Sequence, residues 1–354
     1  MLGRAALARI RLRYGGYVLG RAALVRIRRL FRPPTGRALD FAHSKEKFFI
    51  FYRVQSHVKL YMHAVGALRS ALQANSCFDL DLEEWAMGDP SFQLVFLGTG
   101  NAMSKLPFNS HTNALLTVHG HQFLIDCGFL CPTAFAHANM SMDGIEAYFI
   151  SHLHGDHVTG IEEVCFRSYF CLKRRIPLWL PANHFTKYSG IDGADIWENC
   201  LRGSLETYDL EIDPPKLLTL SDYADVTLLF EDVPFDFYGL KLELIRVDHA
   251  PNRPCYGLKI GDKVVYTGDS TFSRKNIDSW LDSGVERIFH DVCFCNNCCG
   301  IHASYASFWD LPEDMARRIT FMHLPDNCDG DIVRALEQKH YTFAERMKVY
   351  DFAF

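Results

Sequence analysis

Ser151-His152-Leu153-His154-Gly155-Asp156-His157 decides how this chain is read. It sets three imidazoles and a carboxylate within six positions, directly after the apolar run Ala147-Tyr148-Phe149-Ile150. A strand leaving a sheet at Ile150 presents these side chains at its carboxyl edge, where open α/β sheets place ligands. Imidazole nitrogen and carboxylate oxygen are the ligand set of zinc, with manganese or iron as substitutes. His152 and His154, at alternate positions, can bind one ion, which leaves Asp156 and His157 for a second. The chain holds 16 histidines in 354 residues, so such a cluster is a poor match to a chance surface loop.

One cluster cannot hold two ions, and three later segments offer partners. The run from Leu242 to Val247 reads as a strand and ends in Asp248-His249. Lys263-Val264-Val265-Tyr266 reads as another and ends in Thr267-Gly268-Asp269-Ser270. Ile319-Thr320-Phe321-Met322 reads as a third and ends in His323. A single His or Asp at a strand end is more often a turn or cap residue. Three in this order after the histidine cluster complete the roughly seven ligands that a two-metal site needs.

The order His152-x-His154-x-Asp156-His157, His249, Asp269, His323 resembles the metallo-β-lactamase superfamily of dinuclear metallohydrolases. Within it, four further motifs look like the branch of ribonuclease Z and related cyclic-nucleotide phosphodiesterases. These are Phe96-Leu97-Gly98-Thr99-Gly100-Asn101-Ala102, Leu124-Ile125-Asp126-Cys127-Gly128, Gly268-Asp269-Ser270, and His290-Asp291 followed by His302. The resemblance spans roughly residues 92 to 330 and implies a four-layered αββα sandwich. It implies that His152, His154 and His249 hold one zinc, that Asp156, His157 and His323 hold the other, and that Asp269 bridges them. It also implies that His290-Asp291 and His302 match a His-Glu pair and later His that assist proton transfer to the leaving oxygen. The carboxylate here is Asp, one methylene shorter. His290 reads better as a structural histidine.

The chemistry expected of such a site is hydrolysis by a metal-bound hydroxide. Two divalent ions about 3.5–4 Å apart lower the pKa of a shared water and neutralise charge growing on a phosphoryl oxygen. Asp156 can also orient or deprotonate the nucleophile, and His302 can protonate the departing alkoxide. The expected enzyme is a phosphodiesterase or nuclease acting on a cyclic nucleotide or an RNA phosphodiester. The alternative is hydrolysis of a lactone or thioester on the same fold, because fold does not fix function. The chain has no Gly-rich phosphate loop followed by Lys-Ser or Lys-Thr, and no Gly-x-Ser-x-Gly elbow. Gly98-Thr99-Gly100 reads first as a tight turn. Asp126 reads equally as a strand-ending turn or as a group that orients a metal-binding histidine.

Composition fits a folded enzyme. Hydrophobic content of 48% and charged content of 22% allow a sizeable core, and no run of eighteen apolar residues suggests a spanning helix. Net charge is −5, and twelve cysteines with no secretory signal read as reduced thiols in a cytoplasmic protein. In Cys293-x-Cys295-x-x-Cys298-Cys299 the spacing suits a further metal, with Cys127 and Cys131 as possible partners. The preferred reading is loop thiols at the site's mouth.

Residues 114–118 and 122–126 flank His119-Gly120-His121 as a hairpin, and 256–260 and 263–266 flank a two-residue turn at Gly261-Asp262. Residues 159–170 carry apolar side chains at helical spacing, among them Ile161, Val164, Cys165 and Tyr169. Residues 171–240 are expected to be ordered and to shape the substrate entrance. His249 and Asp269 lie twenty positions apart, which leaves no room for the long arm that grips tRNA in ribonuclease Z. That favours a smaller phosphodiester.

Three segments are expected: a basic extension over 1–40, a helical segment over 41–90 and the hydrolase domain over 91–354. Residues 1–39 contain ten arginines, no lysine and no acid, and Gly3–Arg11 is nearly repeated at Gly20–Arg28. In the second copy Leu24, Ile27 and Phe31 share a helical face opposite Arg21, Arg28 and Arg32. Such a helix over residues 1–32 can contact an anionic membrane or nucleic acid, and also resembles a transit peptide. The stretch from Phe41 to Trp85 is expected to be mixed helix, packed on the core or forming a homodimer contact.

Overall fold

The computed structural model describes residues 5–10, 48–53, 91–185, 195–295 and 300–353. The chain divides into two units, Met1–Met87 and Gly88–Phe354. In the first, strands β1 (Ala5–Ile10) and β2 (Phe48–Arg53) pair antiparallel, Ala5 opposite Arg53 and Ile10 opposite Phe48. Phe48–Arg53 was expected within a helical stretch. Its run of Phe, Ile and Tyr has the composition that favours a pleated strand. The amphipathic helix read at Gly20–Arg28, and the rest of both N-terminal segments, lie outside the described residues.

The second unit is built on two large sheets. The first takes β3 (Ser91–Gly98), β4 (Asn113–Val118), β5 (His121–Ile125), β6 (Ile145–Phe149) and β7 (Ile176–Pro181). The short pair β8 (Tyr208–Asp209) and β9 (Lys216–Leu217) stands apart, and β10 (Ala224–Leu229) returns to the first sheet. The second takes β11 (Phe235–Phe237), β12 (Leu240–Val247), β13 (Cys255–Ile260), β14 (Val264–Tyr266), β15 (Arg287–Asp291), β16 (Ile319–Met322) and β17 (Thr342–Phe343). The last strand, β18 (Val349–Ala353), pairs with β3 at the edge of the first sheet.

Among the described residues both sheets have seven strands and the same ladder. The first runs β18-β3-β4-β5-β6-β7-β10, with three antiparallel pairings followed by three parallel ones. The second, β11 through β17 in order, also has three antiparallel pairings and then three parallel. Strand by strand, β5 corresponds to β14, β6 to β15 and β7 to β16.

Alternation along the strands produces the layers, because successive side chains point to opposite faces. Phe92, Leu94 and Phe96 of β3, with Phe123 and Ile125 of β5, join Tyr256, Leu258, Val264, Tyr266, Phe289 and Met322 in a core between the sheets. On the outer face of the first sheet, Leu115, Leu124 and Tyr148 pack with Phe135, Ile161, Val164 and Cys165 from helices Cys131–His137 and Gly160–Phe166. On the outer face of the second, Val265, Ile288, Ile319 and Phe321 pack with Ile277, Leu281 and Leu336 of helices Arg274–Asp282 and Gly330–Gln338. Two sheets covered by helices on both outer faces make four layers. None of the described helices is long and apolar enough to cross a membrane.

Local expectations hold with two adjustments. The β4–β5 turn is His119-Gly120, both with positive φ (51° and 84°), as a tight primed turn requires. The β13–β14 turn has three residues rather than two, since Ile260 pairs with Val264 and Gly261 at φ 56° starts the reversal. Within residues 171–240, which were expected to shape a substrate entrance, β7 and β10 complete the parallel side of the first sheet.

Candidate metal centre

The carboxyl ends of β5, β6, β12, β14, β15 and β16 meet at one place. Beyond β6, Ser151 and His152 leave the sheet, His154 precedes the short helix Gly155–Val158, and that turn carries Asp156 and His157. His249 follows β12, Asp269 follows β14, Asp291 ends β15 and His323 follows β16. His249 and Asp269 lie twenty positions apart, and the β13–β14 hairpin fills most of the stretch between them. His323 adopts φ 62°, a left-handed conformation that costs a side chain with a Cβ about 1–2 kcal/mol.

The seven residues read as ligands gather into two overlapping groups. One is His152, His154, His249 and Asp269, and the other is Asp156, His157, Asp269 and His323. In each, the candidate donor atoms all lie within 4.8 Å of one another. Asp269 belongs to both. Its Oδ1 is 3.2 Å from His157 Nε2, and its Oδ2 is 3.3 Å from His323 Nε2, 3.7 Å from His249 Nε2 and 3.8 Å from His152 Nε2. Asp156 Oδ2 sits 3.3 Å from His157 Nε2 and 3.5 Å from His323 Nε2. His154 faces the cluster with Nδ1, and its neighbours with Nε2.

Hydrogen bonds at the far side of three of the rings set which nitrogen is free. His249 Nδ1–H donates to the Ile301 carbonyl at 2.6 Å, so Nε2 carries a lone pair. His157 Nδ1–H donates to Asp126 Oδ2 at 2.8 Å. The Ser151 hydroxyl also donates to Asp126 Oδ2 (2.8 Å) and stands 3.1 Å from His152 Nδ1, so it accepts from that ring. Ser151 N–H donates to Asp126 Oδ1 at 2.7 Å. Asp126 is therefore more than a turn residue, since it orients one imidazole of each group.

These bonds test whether a cation fits. His154 Nδ1 lies 3.0 Å from His152 Nε2 and 3.1 Å from His249 Nε2. Burial, with His157 beside it, holds His152 well below the usual imidazole range. Burial and then His249 bring His154 to about 4, and burial lowers His249. With the Nδ1 protons of His152 and His249 engaged by Ser151 and Ile301, both Nε2 lone pairs face His154 Nδ1, which can satisfy at most one of them, whereas a cation among the three satisfies all. The donor set fits a divalent metal ion.

The second group is balanced differently. Burial alone would depress His157, but Asp269, Asp156 and Asp126 hold it well above its ordinary range. Burial opposes charge on His323 too, yet Asp269 and Asp291 push it up to about 10. Burial likewise works against Asp269, whose carboxyl the facing His157 and His323 keep well below the usual range.

Asp291 and His302 lie against this group. His302 Nδ1–H donates to Asp291 Oδ2 at 2.6 Å, Asp291 Oδ1 is 3.4 Å from His323 Nδ1, and the Ser270 amide donates to Asp291 Oδ2 at 3.0 Å. Although burial opposes it, the bond to Asp291 raises the His302 pKa. His302 is partly exposed, while Asp291 is buried. His290 stays apart, with Nδ1 on the Asp291 backbone carbonyl and its ring against Phe308.

Gly98 and Gly100 serve close backbone approach. A Cβ on Gly98 would meet the His111 carbonyl at 2.2 Å, and one on Gly100 the Ser104 hydroxyl at 2.1 Å. No cysteine joins a metal-holding group among the described residues. Cys127 and Cys131 lie in the outer core of the first sheet, and Cys295, read as a reduced thiol, is disulfide-bonded. Cys298 and Cys299 lie outside the described residues. His111 escaped the sequence reading. It is fully buried, and the charges of Asp156, His157 and His323 act on it.

Comparison with known proteins places this geometry in a family. The family model of anti-Pycsar protein Apyc1 matches residues 92–350. The chain is 34% identical over 242 residues to anti-Pycsar protein Apyc1 of Paenibacillus sp. (strain J14), covering 68% of this chain and 92% of that protein. It is 31% identical over 256 residues to the protein of the same name from Bacillus phage BSP38, covering 67% and 90%. Among solved structures, the metallo-β-lactamase fold protein YhfI from Bacillus subtilis superposes with a TM-score of 0.55 at 16% identity, over 74% of this chain and all of that one. That likeness shows a shared fold.

Proposed function

The chain belongs to the anti-Pycsar protein Apyc1 family and is a hydrolase of the metallo-β-lactamase superfamily, and from that premise we propose that it is a two-metal phosphodiesterase that opens a cyclic nucleotide. The observation that carries the reading is Asp269, whose two oxygens divide between His157 on one side and His152, His249 and His323 on the other. A carboxylate so placed can bridge two ions. His152, His154 and His249 would hold one, and Asp156, His157 and His323 the other. Zinc suits this donor set, with manganese or iron as substitutes. Two such ions, when bound, lower the pKa of a shared water and neutralise charge developing on the phosphoryl oxygens.

The rest falls to the chain's own groups. Asp156, with one oxygen toward His157 and His323, orients the attacking water and receives its proton. His302, held by Asp291 at the partly open side, delivers a proton to the leaving ribose oxygen. Asp126 keeps His152 and His157 in the tautomer that a metal needs. Two observations favour a small substrate: the motifs from Phe96 to Ala102, Leu124 to Gly128 and Gly268 to Ser270 resemble those of cyclic-nucleotide phosphodiesterases, and the hairpin between His249 and Asp269 leaves no arm for a large RNA.

The test is turnover of bis-p-nitrophenyl phosphate, a panel of cyclic nucleotides, an RNA 3′ end and a lactone by zinc- or manganese-loaded protein, beside Asp269→Ala. Cyclic-nucleotide turnover that vanishes in the variant is the expected result. Lactone turnover alone would overturn the proposal.

A further inference from the structure

Phe129 sits beside the second group of ligands in a way the chemistry so far does not use. The chain on its N-terminal side is pinned to the site. Asp126 bonds His157 and Ser151, and the Cys127 amide donates to the His157 carbonyl at 2.7 Å. Gly128 lies so close to the Asp156 backbone that a Cβ there would stand 1.8 Å from the Asp156 carbonyl oxygen. The next residue cannot drift from the rim of the centre.

That residue is a phenylalanine left 54% exposed between the buried Cys127-Gly128 and the buried Cys131. Its ring meets His111 nearly at right angles, with centroids 4.2 Å apart. Phe129 follows directly on the Gly128 that packs against Asp156 and the Cys127 that bonds the His157 carbonyl, so the Phe129–His111 pair stands beside the turn that carries Asp156 and His157. Everything else identified at the centre is imidazole, carboxylate or hydroxyl. A phosphodiester offers nothing apolar for an exposed ring to cover, whereas a nucleobase offers a flat π face. Stacking on an aromatic ring tolerates any base, because every base has such a face.

We propose that the Phe129 ring is the platform on which the substrate's nucleobase stacks while its phosphodiester lies between the two ligand groups. The proposal rests on the phosphodiesterase reading above. It makes recognition a matter of ring area, so purine substrates are held more tightly than pyrimidine ones.

The test compares 3′,5′-cyclic mononucleotides with base-free ribose 3′,5′-cyclic phosphate on wild type, Phe129→Ala and Phe129→Trp, with kcat and KM measured separately. The wild-type preference in kcat/KM for the base-bearing substrate is expected to fall about tenfold in Phe129→Ala, through KM, and to return in Phe129→Trp. Equal losses on both substrates would overturn the proposal, as would a fall confined to kcat. A change of oligomeric state in Phe129→Ala by light scattering would assign the ring to a contact between copies and overturn it too. Wild type that turns over neither phosphodiester would remove the underlying reading, an outcome distinct from loss of base preference alone.

Discussion

The two sheets share one ladder, yet they supply the metal centre in opposite styles. The first sheet delivers four candidate ligands from a single turn after β6, His152, His154, Asp156 and His157, braced by Asp126 at the end of the neighbouring β5. The second delivers one group per strand end: His249 after β12, Asp269 after β14, Asp291 at the end of β15 and His323 after β16. Position by position, Asp126 stands in the first sheet where Asp269 stands in the second, each just past the strand that opens the parallel run. One carboxylate orients histidines from behind and the other faces them from in front. A shared topology therefore leaves residue roles free. What it supplies is a common set of strand ends pointing at one spot.

Substitutions can break or sharpen that comparison. Asp269→Ala should have the largest effect. It removes the group common to both clusters and should lower turnover on the order of 10³-fold, with both metals lost by elemental analysis. Retention of a full metal complement would show that the two clusters do not depend on a shared bridge.

Asp126→Asn keeps the shape but loses the charge that fixes two rings, so metal affinity should fall 10–100-fold, roughly. It touches His157 directly and His152 through Ser151, so both sites should weaken together in a metal titration. Asp291→Asn should weaken the second site alone and reduce proton delivery through His302. An equal effect of the two variants on both sites would erase the distinction between the sheets.

Gly128→Ala forces a Cβ against the Asp156 backbone and should destabilise the fold by roughly 1–3 kcal/mol, read from denaturant midpoints. An unchanged midpoint would mean that the turn after β6 is less tightly clamped than its packing indicates.

The smallest effect concerns His184, a buried imidazole after β7 whose Nε2–H donates to the Pro254 carbonyl in the second sheet's His249–Cys255 loop. Burial lowers its pKa to about 4, below the ordinary value near 6.5. The unfolded chain thus takes up a proton more readily than the folded one. Its neutral form contributes fully above about pH 6.5, and that contribution is lost as pH falls toward 4. His184→Asn should flatten the decline in urea midpoint between pH 7 and pH 5. A slope identical to wild type would place the acid sensitivity in other groups.

The same contrast explains what the sequence made legible. Four donors in one short run announce themselves, and the strand-terminal His249, Asp269 and His323 could be added because each closes an apolar run of strand length. The hairpin at His119-Gly120 was readable from its turn chemistry, and the four layers from the resemblance. What escaped depends on contacts between distant segments. That His154 presents Nδ1 rather than Nε2 follows from the spot where β12 brings His249. Asp126 stayed undecided between a turn and a group that orients a histidine, because its partners lie 25 and 31 positions away. His111 has no motif around it, and only the fold carries it to Asp156 and His323. The common ladder was also invisible, since it lives in pairing direction and leaves no repeat in the residues.

His323 carries one last consequence. Its left-handed backbone is the conformation that glycine adopts at least cost. A histidine there is a poorer choice for the chain's own stability and a useful one for its chemistry. The backbone there gives up some ease of folding to hold a ring against Asp156 and Asp269. Random libraries screened for thermal tolerance alone should drift away from histidine at 323, and screens that demand turnover should hold it there.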